Sequence, residues 1–205
     1  MDEKPKVRTK EQKAKRKNRR WVVFITILTF FLAFAINLIS EVMIQNAVTG
    51  VAMVILLVIV LIGILFDIIG IAVTAANEAP FHSMASRKVP GASHSIGLIK
   101  SAERVSNVCN DVVGDIVGII SGATAAVIVA RLCAGNAGLD EFWTGLAFTA
   151  LVAAVTVGGK GAGKSFAVKQ SADIVAFVGK VLYYLDLKRL GKKLGGKKNG
   201  TSAKK

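Results

Sequence analysis

The chain is poor in cysteine, histidine, proline, aromatic residues and acid. Its two cysteines, Cys109 and Cys133, fall near opposite ends of one predicted helix. At about 1.5 Å of rise per residue they are too far apart to bridge. A disulfide framework is therefore excluded, and two isolated cysteines do not make a metal site. Both read as small buried apolar side chains. The two histidines, His82 and His94, are separated by a proline–glycine break, so no zinc-like ligand spacing exists, and each is expected in an exposed loop. Asp and Glu number 13 against 27 Lys and Arg, a net charge of +14. In a soluble protein a pI near 10.0 suggests nucleic acid. Here the basic ends carry no interleaved aromatics and no nucleic-acid module follows, so no nucleic-acid partner is expected. The ends read instead as flanks that hold topology and touch anionic lipid headgroups.

What the chain does have is apolar residues in long blocks. The hydrophobic fraction is 53% and the mean hydropathy +0.54. Runs of about 18 or more apolar residues indicate membrane-spanning helices rather than a soluble core. The basic tail 1–20 lacks an apolar face and is expected to be disordered and cytoplasmic. A first span covers 21–44, opening on Trp21, which suits the membrane interface. Ala33-Phe34-Ala35 imitates a signal cleavage site, but the apolar run continues to Ile39, so an uncleaved anchor is expected. A second span covers about 50–76, with Asp67 inside it. Residues 79–104 are broken by Pro80, Pro90, Gly91 and Gly97 and are basic, which predicts one or two short helices on the cytoplasmic face. A third span covers about 105–132. Its Gly114, Gly118 and Gly122 recur every four residues, which either lets another helix approach closely or reflects ordinary small-residue packing. A fourth span, about 142–157, is followed by a glycine-rich break at 158–163. Residues 164–190 form a predicted amphipathic helix with the stripe Ile174, Phe177, Val178, Val181 and Leu185; it lies on the membrane surface or packs in a soluble core. A basic tail at 191–205 is expected to be disordered. The basic clusters at both ends and at 79–104 place both termini in the cytoplasm by the positive-inside rule.

Residues 74–115 carry the candidate chemistry. Ionisable groups in or beside membrane spans are costly and mark function by default. Asp67, Glu78, Asp111 and Asp115 lie there, with Thr74, Asn77, Asn107 and Asn110 close in sequence. Asn107, Asp111 and, less closely, Asp115 share a helix face. Carboxylates, amide oxygens and hydroxyls are the oxygen ligands that a hard cation such as Mg2+ requires. The structural alternative is that these acids pair with Arg87, Lys100 or Arg104 or cap helices at the boundary.

One motif points elsewhere. Gly158-Gly159-Lys160-Gly161-Ala162-Gly163-Lys164-Ser165 fits the phosphate-cradling P-loop pattern letter for letter. Such a loop needs a parallel sheet around it, and only about forty residues follow. The other reading is a flexible basic turn where a span leaves the membrane.

From about residue 55 to 190 the chain resembles the transmembrane domain of the CorB/CNNM family of magnesium and cobalt transport proteins. Ala75-Ala76-Asn77-Glu78-Ala79, then Arg87 and Gly91-Ala92, match the family's first core span and its short helical hairpin. Asn110-Asp111-Val112-Val113-Gly114 stands at the place of an Asn-rich motif, and Gly159-Lys160-Gly161-Ala162-Gly163-Lys164 at the place of Gly-Glu-x-x-Pro-Lys. The resemblance implies an all-α integral membrane protein with about four transmembrane helices, a cytoplasmic helical hairpin and an amphipathic juxtamembrane helix. It implies a CorB-like domain over 48–190 that dimerises, lacks the family's cytosolic nucleotide-sensing modules and moves Mg2+ or Co2+ without covalent chemistry. Residues 21–44 form an extra N-terminal span. The family's membrane site uses a hydroxyl, an asparagine and the glutamate of the last motif. Asn110 keeps the asparagine and Thr74 supplies a hydroxyl, whereas Lys160 replaces the glutamate and Gly163 the proline. Glu78, Asn110, Asp111 and Asp115, assisted by Thr74, are then the expected cation ligands. A scaffold or regulator that keeps the fold but not the site is the alternative that Lys160 motivates, and a nucleotide-binding protein is the one that the P-loop pattern motivates.

Overall fold

A computed structural model describes residues 4–45, 47–136 and 138–198. The described residues are helical and contain no strand. In chain order the elements are α1 (Lys4–Gln45), α2 (Thr49–Ala75), α3 (Ala79–Ser86), α4 (Ala92–Lys100), α5 (Ala102–Ser106), a π-helical segment (Asn107–Val113), α6 (Gly114–Ala134), α7 (Glu141–Lys169) and α8 (Ser171–Lys198). Four stretches are long and apolar enough to cross a membrane: Trp21–Ile44 within α1, Thr49–Ala75, the continuous run Ala102–Ala134, and Glu141–Lys169. In hydrocarbon every backbone N–H and C=O must find its partner within the segment, which is why these runs fold as helices. The 27 residues of α2 reach roughly 40 Å, enough to span with tilt.

The chain forms two compact units, 1–55 and 56–205. In the first, α1 presents Phe30, Phe31 and Phe34 outward. From sequence, 4–20 is expected to be disordered, yet α1 runs through it to Lys4. Lys, Arg, Gln and Glu are good helix formers, and a helix already nucleated in the apolar run extends backward at little cost. For the same reason α8 continues to Lys198, into the tail expected to be unstructured.

In the second unit the run Ala102–Ala134 is central: 61% of its most apolar stretch is buried, against 22% for α2 and none for α7. Glycines set the spacing around α2. A Cβ on Gly63 would stand 2.6 Å from Val117 Cγ1, so the Val117 side chain of α6 sits directly on the α2 backbone. On its other side α2 meets α7, where a Cβ on Gly159 would lie 2.5 Å from Ile64 and one on Gly163 2.8 Å from Ile68. This overturns the expected break at 158–163. These glycines are helical, and α7 continues through them to Lys169 before turning at Gln170. The i, i+4 pair Gly159/Gly163 is a small-residue strip that lets two membrane helices touch. The amphipathic helix expected over 164–190 accordingly starts, as α8, at Ser171. Of the third span's repeat, Gly118 and Gly122 face open space and only Gly114 is packed.

Two short helices, α3 and α4, follow α2. Asn77 Oδ1 accepts from Ala79 N at 3.0 Å to turn the chain, and Pro80 sits at the start of α3 where its missing N–H costs nothing. Phe81 then buries with Ala72, Val73, Ala167 and Val175, fastening the hairpin to α2, α7 and α8. Gly91, at φ 88°, has its backbone against α8: a Cβ there would lie 2.6 Å from Lys180 N. Reciprocally, a Cβ on Gly179 would lie 2.8 Å from Gly91 O and run into Ser95 Oγ, which donates to Val175 O at 3.0 Å. The face of α8 that packs is therefore Val175 and Gly179. Phe177, Val181 and Leu185 of the expected stripe remain outward.

Because Gly91 O and Ser95 N, which face Gly179 beside Ser95 Oγ, are backbone and cannot rotate away, Gly179→Ala is expected to destabilise by about 1–3 kcal/mol. Gly118→Ala, in open space, should stay within about 0.5 kcal/mol of wild type. Thermal unfolding in detergent compares them, and equal melting temperatures would contradict the packed α4–α8 contact.

Candidate polar site within the membrane helices

The polar groups inside the second unit come together from α2, the π-helical segment with α6, and α7. On α2, Gly63, Asp67, Gly70 and Thr74 follow 4-3-4 spacing and share a face. Gly63 touches Val117 and Gly70 touches Asn110 and Cys109, so the two helices run antiparallel, and half-buried Asp67 falls between these contacts at the level of Gly114. From α7, Lys160 extends its ammonium to Gly114, where a Cβ would lie 3.4 Å from Nζ. Neither Asp67 nor Lys160 makes an ion pair or side-chain hydrogen bond among the described residues.

Asn110 lies at the centre. Its Nδ2 donates to Ser106 Oγ at 3.2 Å, while its Oδ1 is buried and receives no hydrogen bond from the described residues. A buried acceptor left without a donor costs roughly 1–3 kcal/mol. It sits in the π-helical segment, a rare conformation found mostly as single turns at functional positions. Gly70 makes the room: any Cβ there would run into Oδ1.

Of the expected ligands, only Asn110 occupies this locus. Asp111 and Asp115 are exposed. The helical spacing they share carries both away together. Thr74 Oγ1 donates to Ile71 O at 2.8 Å, a bond within its own helix. Glu78 is tied elsewhere, with His82 Nε2 at 2.8 Å and Lys100 Nζ at 3.4 Å. This is the ion pairing that the structural alternative anticipated. Partial dehydration raises the Glu78 pKa, but the hydrogen bonds from His82 and Lys100 and their charges outweigh it, so its carboxyl titrates below the usual range. The histidines are not loop residues either. His82 lies on α3, and His94 on α4 meets Asp186 Oδ2 at 2.9 Å. Among the described residues no three of His, Cys, Asp and Glu gather as a metal set. Asp67 was detectable from sequence as the one charge within the second apolar span; nothing in the sequence put Gly114 at its level. The P-loop residues lie inside α7, whose backbone N–H groups are committed to the helix, so no phosphate-cradling loop forms.

The fold defines an all-helical protein with four helices long and apolar enough to cross a membrane. Compared with family models, curated proteins and solved structures, the chain matches none.

Two outcomes follow from this geometry. Gly70→Ala should destabilise by about 1–3 kcal/mol, and a second change, Asn110→Ala, should recover part of that loss. Strictly additive melting shifts in the double variant would contradict the contact. Glu78, with its lowered pKa, stabilises the hairpin while ionised; that contribution holds at neutral pH and disappears as pH falls through the depressed value. Tryptic cleavage at Arg87 and Lys88, pulsed after acid exposure, should rise with acid in wild type and show a smaller acid response in Glu78→Gln.

Proposed function

We propose that this chain is a cation carrier of the CorB type, moving Mg2+ or Co2+ through a site between α2 and the π-helical segment. The observation that carries the reading is the buried, unpartnered Asn110 Oδ1. It is an oxygen acceptor held in the interior of a membrane helix bundle, beside a glycine that leaves α2 without a side chain there. Asp67 supplies the negative charge. Mg2+ keeps several waters and needs only one or two carboxylates, so Asp67 and the Asn110 amide suffice as protein ligands. Thr74 stands one turn beyond Gly70 toward the hairpin, on the path from that end. Glu78, Asp111 and Asp115 contribute field rather than bonds. The basic ends and hairpin orient the protein with both termini in the cytoplasm and rest on anionic headgroups, and the chain works as a homodimer.

A second reading has its own observation. The Lys160 ammonium beside Gly114 is a fixed cation one turn from Asn110. It fills the position of a metal in a membrane scaffold or regulator that keeps the fold and moves no ion.

Uptake of Mg2+ and Co2+ into proteoliposomes separates the two. The carrier reading expects wild-type uptake that Asp67→Asn and Asn110→Ala each reduce by about tenfold or more, equivalent to about 1.4 kcal/mol, while Asp115→Asn has little effect. No uptake by well-folded wild type, with Mg2+ binding gained in Lys160→Glu, would transfer the assignment to the scaffold.

A further inference from the structure

A groove of about 560 Å3 lies where α2, the end of α7 and the start of α8 meet, a volume within the range of small-molecule sites. Its deep part is lined by aliphatic and aromatic side chains, among them Leu65 and Ile69 of α2, Phe166 of α7 and Phe177 of α8. Its polar side chains are Gln170, at the turn between α7 and α8, and Asp173, in the first turn of α8. The two are not randomly placed. Leu65 is ten residues before the end of α2, roughly 15 Å inside the span, whereas Gln170 and Asp173 follow the last residue of the fourth span. The groove thus runs from membrane depth to the membrane boundary, apolar within and polar at its mouth, the same gradient as a phospholipid.

Charge selects among phospholipids. The Asp173 carboxylate is exposed and forms no ion pair or side-chain hydrogen bond among the described residues. Together with the Gln170 amide oxygen it favours an ammonium at the mouth and disfavours a headgroup of net negative charge. We propose that this groove holds one acyl chain of a phosphatidylethanolamine from the leaflet on the hairpin side, its ammonium on Asp173. The assignment rests on the placement of α2 and α7 in a membrane and is independent of ion transport.

Native mass spectrometry of the full chain, purified in detergent and offered equimolar phosphatidylethanolamine and phosphatidylglycerol with identical acyl chains, tests it. Wild type is expected to retain one phosphatidylethanolamine per chain, preferred by about threefold, as for an exposed ion pair. Ile69→Trp fills the groove and should lose the retained lipid. Asp173→Asn, at an exposed position that folding tolerates, should keep a lipid and lose the preference. Equal or greater retention of phosphatidylglycerol by wild type, or an unchanged preference in Asp173→Asn, would overturn the proposal.

Discussion

The second unit depends on how closely α2 approaches its neighbours. Lipid offers no hydrophobic gain for helix–helix contact, because acyl chains are as apolar as leucine. What remains is van der Waals contact at short range, and that requires the absence of side chains. Gly63 and Gly70 open α2 toward α6 and the π-helical segment, while Gly159 and Gly163 open α7 toward Ile64 and Ile68. With α2 gripped on two sides, its polar residue Asp67 has a defined level in the bundle, opposite Gly114. The same device recurs outside the spans, where Gly91 and Gly179 bring the backbones of α4 and α8 together. The hairpin, α8 and the ends of α2 and α7 are consequently one packed body around Phe81.

This packing accounts for the position of Asn110. A regular α-helix from Ala102 to Ala134 would set its side chains in even steps. The π-helical segment inserts a wider turn between α5 and α6. It leaves Asn110 toward Gly70 while Asp111 and Asp115 are exposed. One amide oxygen is then buried without a donor, an expense that packing around it has to cover. Such a group persists where the surrounding structure over-determines it, and those places cluster at functional sites. Lys160 brings the opposing charge to the neighbouring turn.

The residues that looked most chemical in the sequence are mostly engaged in structure. Glu78 holds the hairpin through His82 and Lys100, and His94 joins α4 to Asp186 of α8. The P-loop pattern is a helix whose glycines serve packing. The Glu78–Lys100 pair was among those the sequence offered, whereas Asp186 and the α2 neighbours of Gly159 and Gly163 stand on elements distant in the chain and were not visible.

Hydropathy by itself determined four helices long enough to cross a membrane, because an apolar run in lipid has one way to satisfy its backbone; of the two cysteines expected to be buried, Cys109 is and Cys133 is only partly so. Local residue chemistry cannot say which face of a helix is covered, since in a membrane span both faces are apolar. Tertiary structure decided that Asn110 and not Asp111 meets α2, that 158–163 is helix rather than loop, and that Val175 rather than Phe177 packs on the hairpin. The physical reason is the same throughout: glycine is an ambiguous letter in a sequence, a break or a contact, and only a neighbouring helix within van der Waals reach makes it the second.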